Sequence, residues 1–220
     1  MTGFLFDLDG VVIDSMPLHT EAWEVYLDRH GIVVEDLVAR MHGRRNDDIV
    51  QMFFGSHLSA DEIHAHGAAK EKLFRDMMQA RLAEHLVPGV KEFLDKYADV
   101  PTGLASNAEP LNIDFVLDGA GIRGHFDVIV DGQQVARAKP FPDIYLKAAE
   151  LLGVAAGDCI VFEDSPAGIE AGRGAGALVV GLRTHSGELP EVDLLIDDFQ
   201  DPKLTPWLIT KTSKLNLPRS

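Results

Sequence analysis

Short, continuously apolar runs alternate along this chain with longer stretches of helical spacing. The runs at residues 4–6, 101–105, 128–130, 159–162, 177–181 and 194–196 have the composition of strands covered on both faces. Between them, residues 89–97, 110–120, 142–152 and 167–174 carry the apolar spacing of helices. This alternation predicts an α/β fold, a doubly wound parallel sheet layered between helices. Residues 16–85 interrupt it. Residues 18–30 place Ala22, Trp23, Tyr26 and Leu27 at helical spacing, and 47–54 and 60–86 continue in that mode without a strand. They predict an α-helical cap domain, 16–85, inserted into a discontinuous core of 1–15 and 86–220, with Pro88-Gly89 marking the return. From Pro202 onward the chain is rich in Lys, Ser and Thr with scattered prolines, which predicts a peripheral tail.

Composition narrows the partners. The 220 residues are 46% hydrophobic and 25% charged, as in ordinary globular proteins. Twenty basic against 35 acidic residues give a net charge of −15, which argues against nucleic acid and anionic membranes, since both select basic surfaces. A small anionic substrate stays open, because a metal or a few local cations reverse the field inside a cleft. The single cysteine, Cys159, lies in an apolar run and reads as a buried thiol. No basic leader with a long apolar run opens the chain, and no run reaches membrane-spanning length, so the expected location is cytoplasmic. A monomer is the expected state.

Three strand ends and one proline-bracketed lysine carry polar chemistry. The first strand runs into Asp7-Leu8-Asp9-Gly10. Two carboxylates two residues apart lie on one side of an extended backbone, and acids avoid burial unless paired or metal-bound. The second ends on Ser106-Asn107 before a helix, where hydroxyl and N–H donors suit a phosphate. Lys139 precedes Pro140-Phe141-Pro142-Asp143, whose prolines fix its direction. The fourth runs into Glu163-Asp164-Ser165, hard oxygen ligands suited to Mg²⁺. Each has an ordinary account alone: a solvated turn, a helix cap, a surface lysine, another cap. Together they do not, because a parallel sheet brings such ends to one edge, where the acids repel without a cation.

These motifs carry a resemblance over nearly the whole chain. Asp7-x-Asp9-Gly10-Val11-x-x-Asp14-Ser15, Ser106-Asn107, Lys139-Pro140-x-Pro142-Asp143 and Glu163-Asp164-Ser165-x-x-Gly168, in that order, resemble the four motifs of the haloacid dehalogenase superfamily. The branch is the one with a helical cap after the first strand, among β-phosphoglucomutase-like proteins and sugar-phosphate phosphatases. The resemblance implies a Rossmann-like core and Asp7 as the nucleophile, forming an aspartyl-phosphate. It implies Asp9 as general acid/base and Ser106, Asn107 and Lys139 as phosphate-binding residues. It implies Mg²⁺ held by Asp7, the Asp9 backbone carbonyl, Asp164 and Glu163, the last directly or through water. An acid/base aspartate at position 9 favours phosphoryl transfer over carbon–halogen cleavage.

In this branch, substrate selectivity belongs to the cap. His19 stands at the offset of a histidine that faces the active site in mutase-like members, near Trp23. Arg44, Arg45 and Lys70 are candidates for an anionic group, with His42 and Lys72 beside them; a solvated cap surface is the alternative for each of these cations. His57, His64 and His66 read as surface residues. The mutase pattern places a lysine after the motif-two serine, whereas Asn107-Ala108-Glu109 follows Ser106 here. The expectation is therefore a Mg²⁺-dependent phosphatase of small phosphorylated metabolites, sugar phosphates first, with a phosphosugar mutase as the alternative.

Overall fold

The computed structural model describes residues 1–41, 46–184 and 187–211. The chain forms two compact units, Met1–Asp14 with Ala83–Ser220, and Ser15–Leu82. The described residues of the first unit form six strands: β1 (Gly3–Phe6), β2 (Thr102–Ser106), β3 (Val128–Asp131), β4 (Cys159–Glu163), β5 (Leu178–Leu182) and β6 (Leu194–Ile196). They form one sheet in the order β3-β2-β1-β4-β5-β6, and every pairing is parallel. The chain winds outward from β1 in one direction through β2 and β3, then crosses to β4 and continues the other way. β1 therefore lies at the point where the strand order reverses, the place in such sheets where ligands bind beyond the strands' carboxyl ends.

Residue parity sorts the two faces of the sheet. Leu5, Ala105, Val130, Val161 and Val179 share a core with Ile144, Tyr145, Ala148 and Ala149 of one helix and Ile169 and Ala171 of another. On the opposite face, Phe4, Phe6 and Phe162 pack with Phe93, Tyr97, Phe126 and Phe199. Phe6 and Phe162, paired across β1 and β4, stack at 4.6 Å. Such ring pairs add about 0.5–1.5 kcal/mol beyond their area burial. Cys159 is buried against the first of these cores, and desolvation pushes its thiol up to about 11, so it is inert.

The helices, in chain order, are α1 (Met16–Arg29), α2 (Leu37–Met41), α3 (Asn46–Phe54), α4 (Ala60–Met78), α5 (Leu82–His85), α6 (Val90–Lys96), α7 (Pro110–Gly119), α8 (Asp143–Leu152), α9 (Pro166–Gly174) and α10 (Leu204–Lys211). The second unit comprises α1 to α4 around Trp23, Tyr26, Leu27, Leu37, Met41, Ile49, Val50 and Ile63. Ser59 and Glu62 form a reciprocal capping box that starts α4. The helical pattern over 60–86 does not give one helix. α4 stops at Met78, and the chain becomes extended at Leu86, which finds an antiparallel backbone partner in Ile13. No described helix is long and apolar enough to cross a membrane.

The expectation of a peripheral tail from Pro202 onward is corrected over residues 204–211; residues 212–220 lie outside the described residues. Residues 204–211 form α10, which packs on β6 and buries Leu204 and Leu208. The apolar i, i+4 pair outweighs the polar composition around it. Leu208→Ala is expected to destabilise the protein by about 2–4 kcal/mol in urea unfolding, as a buried leucine does; a frayed tail would lose nothing.

Candidate active site

The sheet register sets the site. Phe6 is level with Leu104 on one side and Phe162 on the other. Asp7 thus leaves β1 beside Glu163, the last residue of β4, and Ser106 ends β2 nearby. The Asp7 N–H donates to the Phe162 carbonyl at 3.1 Å, so the aspartate is held by the sheet although the ladder ends before it. Beyond it the chain folds on itself: Val11, Val12 and Ile13 N–H groups all turn back to the Leu8 carbonyl. Asp9 lies in this turn, half-buried.

Glu163 follows Val161 by two residues, so it faces the layer of α8 and α9. It is fully buried, and both carboxylate oxygens are occupied. Lys139 Nζ at 2.6 Å and Tyr145 Oη at 2.7 Å donate to Oε1. The N–H groups of Asp164 and Ser165 donate to Oε2 at 3.0 and 3.2 Å, joined by the Ser165 hydroxyl at 3.1 Å. Ser165 Oγ in turn accepts the Gly168 N–H and caps α9. A Cβ at Gly168 would fall 1.7 Å from Glu163 Oε1, so only glycine lets α9 close over that carboxylate.

Lys139 is also buried. Its Nζ lies 2.9 Å from Asp7 Oδ1 as well as against Glu163. Burial alone would lower its pKa; the two facing carboxylates overcome this and keep it above the ordinary lysine value. The contact with Asp7 is an ion pair without hydrogen-bond alignment, and the buried Oδ1 receives no hydrogen bond from any described residue.

Asp7, Glu163 and Asp164 each offer a carboxylate oxygen within 4.8 Å of the others. Three buried carboxylates against one buried ammonium leave two uncompensated negative charges among these four groups. The cost appears in the acids. Burial raises Asp7 to about 7, with Lys139 opposing and Glu163 and Asp9 adding to it. Asp164 rises to about 8, first through burial, then through Glu163, Asp7 and Asp9. The donor set is all hard oxygen, one oxygen has no hydrogen-bond donor, and the excess charge is that of a divalent cation with opposite sign. These residues fit Mg²⁺.

Ser106 is buried at the end of β2. Its Oγ accepts the Ala108 N–H at 3.1 Å, which leaves the hydroxyl proton able to act as a donor. Asn107 is exposed beside it. Two residues that sequence reasoning did not single out belong to this cluster. Tyr145 lies three helical residues beyond Pro142; the buried stripe of α8 could have signalled it, its hydroxyl contact could not. Thr184 Oγ1 donates to the Gly10 carbonyl at 2.5 Å and lies 3.4 Å from Asp164 Oδ2, a contact across 174 residues of sequence. Gly10 has φ +74°, and a Cβ there would sit 1.9 Å from Asp164 Oδ2, so this turn requires glycine twice over.

In the second unit, three of the cap candidates fall together. Lys70 Nζ lies 3.1 Å from His19 Nδ1, pairs with Glu71, and sits 5.2 Å from the centre of the Trp23 ring. His19 stacks on Phe74, and Asn46 donates to Glu71 at 2.5 Å. A solvated surface is therefore the wrong description of Lys70, which is 1% exposed. It shares the α4 stripe of Ile63, Gly67, Phe74 and Met78. Burial would raise Glu71, but Lys70 and then His19 hold it down at about 2. Lys72 is exposed and pairs with Asp76. His57 and His64 are exposed, whereas His66 is half-buried, bonded to the Tyr26 hydroxyl and packed on Phe54. Arg44 and Arg45, with His42, lie outside the described residues.

Comparison with known proteins agrees with this geometry. The model of the haloacid dehalogenase-like hydrolase family matches residues 1–176. The chain is 32% identical to hexitol phosphatase A of Escherichia coli, over 92% of this chain and 94% of that one. It is also 32% identical to a β-phosphoglucomutase of Bacillus subtilis, over 83% of each. Among solved structures it superposes on a family IA haloacid dehalogenase hydrolase from Entamoeba histolytica with a TM-score of 0.84, at 26% identity, over 96% of this chain and 99% of that one.

Metal and protons compete for Asp7 and Asp164, so Mg²⁺ affinity measured by calorimetry should rise by about tenfold or more per pH unit between roughly 6 and 8, then level off. A pH-independent affinity would contradict this. In the second unit Glu71 has a lowered pKa, so its stabilisation is full above about 4.5 and is lost as the pH falls toward about 2. Glu71→Ala should cost about 3–5 kcal/mol in chemical unfolding at neutral pH, because it removes the carboxylate paired with the buried Lys70 ammonium.

Proposed function

This chain belongs to the haloacid dehalogenase-like hydrolase family, and from that premise we propose that it is a Mg²⁺-dependent phosphatase of small phosphorylated metabolites, sugar or polyol phosphates first. The observation that carries the reading is the buried Asp7–Lys139 pair beside Glu163 and Asp164 at the reversal point of the sheet.

A carboxylate at the phosphorus and a lysine beside it supply a nucleophile and a grip on the phosphoryl oxygens. One Asp7 oxygen attacks phosphorus; the ester P–O bond breaks, and its electron pair leaves with the substrate oxygen, which takes a proton from Asp9. The product is an aspartyl-phosphate on Asp7. Asp9, now a base, removes a proton from water, which attacks the same phosphorus. The bond to Asp7 breaks, its carboxylate returns, and inorganic phosphate is released. Lys139, Ser106 and Asn107 donate to the phosphoryl oxygens through both steps. Mg²⁺ would be held by Asp7, Asp164 and the Asp9 backbone carbonyl. Glu163, expected as a ligand directly or through water, has both oxygens occupied by donors and would contribute its charge from beside the ion. When bound, the ion would offset the repulsion between carboxylate and phosphate.

Water as the acceptor is supported by Asn107-Ala108-Glu109, which puts no cation after Ser106 for a second phosphate. A phosphosugar mutase is the second reading, favoured by the 32% identity to a protein of that name. Substrate choice falls to the second unit in either case, through His19, Trp23 and Lys70 with Arg44 and Arg45.

With Mg²⁺ and a panel of sugar and polyol monophosphates, the protein should release inorganic phosphate, and Asp7→Asn should reduce the rate by at least about a thousandfold, as loss of a nucleophile does. Wild-type and Asp7→Asn protein equally inert on every ester would remove the proposal. β-Glucose 1-phosphate converted to glucose 6-phosphate faster than phosphate appears would replace it with the mutase.

A further inference from the structure

The Oε1 side of Glu163 is simpler than its Oε2 side. Oε2 is held by three donors from the turn that follows it, whereas among the described residues Oε1 has only Lys139 Nζ and Tyr145 Oη, at 2.6 and 2.7 Å. A carboxylate oxygen has two acceptor directions, so these two donors fill it. The position of one limits the position of the other. The Tyr145 ring centre lies 4.9 Å from the same Nζ and walls that side of the ammonium, while Asp7 Oδ1 stands 2.9 Å away on another. Tyr145 is fully buried, and its hydroxyl donates to Glu163 rather than to Asp7.

We propose that Tyr145 is a positioning residue: its hydroxyl occupies one acceptor direction of Glu163 Oε1 and so keeps Lys139 aimed at Asp7 and at the phosphoryl group that Asp7 receives. Without the hydroxyl, Oε1 has an open direction in a buried site, and Lys139 is the one side-chain donor left there among the described residues. It is drawn toward Glu163 and away from Asp7. The inference rests on the phosphatase reading for its catalytic consequence, but not for its effect on phosphate binding.

Tyr145→Phe keeps the ring and removes the hydroxyl. Tyr97→Phe is the control, since the Tyr97 hydroxyl is equally buried and has no hydrogen-bond partner among the described residues. Tyr145→Phe should lower kcat/KM by about tenfold, the loss shared between a lower kcat and a higher KM, the size of one charge-assisted hydrogen bond. By calorimetry it should weaken inorganic phosphate by a similar factor and leave Mg²⁺ affinity unchanged. Tyr97→Phe should match wild type in all three. Wild-type kcat/KM and phosphate affinity in Tyr145→Phe would overturn the inference. So would a loss of Mg²⁺ affinity as large as that of Asp164→Asn, since the hydroxyl would then act through the metal. Should the wild type hydrolyse no ester, the phosphatase reading falls, and the phosphate titration still decides this one. Should Tyr145→Phe not fold, 3-fluorotyrosine at the three tyrosines gives the test by ¹⁹F NMR. The Tyr145 resonance, assigned by elimination with Tyr26→Phe and Tyr97→Phe, should shift when inorganic phosphate binds; an unmoved resonance would overturn the inference.

Discussion

The Lys139 ammonium stands between Asp7 and Glu163, and the buried edge of this sheet depends on that placement. Each carboxylate there would be costly alone, because desolvation favours the neutral form. Lys139 compensates for one negative charge, and the turn after β4 solvates Glu163 with backbone and hydroxyl donors. What remains is an electrostatic deficit centred on Asp7 and Asp164, expressed as carboxyls that hold their protons up to about pH 7 and 8. A site of this kind is unfinished without a cation. Its incompleteness is the physical reason to expect metal-dependent chemistry on an anionic substrate.

Everything else in the first unit serves to bring those groups to one place. The parallel sheet puts the ends of β1, β2 and β4 on a common edge, and the reversal of strand order beside β1 opens space there. Parity along β4 turns Glu163 toward α8 and α9, which supply Tyr145 above it and the Cβ-free Gly168 beside it. Gly10 lets the turn after Asp7 pass close to Asp164, and Thr184 ties that turn to the end of β5. In the second unit, a different buried ion pair organises the candidates for substrate choice, with Lys70 and Glu71 sharing the inward stripe of α4.

Much of this was legible in the sequence. The apolar runs located all six strands to within a residue or two, because strands buried on both faces carry no polar interruptions to blur them. Asp7, Glu163, Asp164 and Lys139 were legible because acids at the mouths of apolar runs need an explanation. Tyr145 and Thr184 were not: a tyrosine on an apolar stripe looks like core, and a threonine after β5 looks like a loop. Only the three-dimensional meeting of α8 with β4, and of β5 with the first turn, gives their hydroxyls partners. α10 was hidden by its composition, since two buried leucines outweigh several polar neighbours. Lys70 could have been read more sharply, because its spacing from Ile63, Phe74 and Met78 places it on the buried stripe.

The central claim is that this charge arrangement makes a carboxylate oxygen of Asp7 the nucleophile that attacks phosphorus. The most direct measurement is peptide mass spectrometry on Asp9→Asn protein, quenched in acid during turnover of an aryl phosphate with Mg²⁺. Asp9→Asn removes the acid of the first step as well as the base of the second, but an aryl leaving group departs without a proton, so the second step is the one slowed. The account predicts a single phosphoryl increment on Asp7, labile at neutral pH. A phosphoryl group on any other residue, or hydrolysis at wild-type rate with no covalent species, would contradict it.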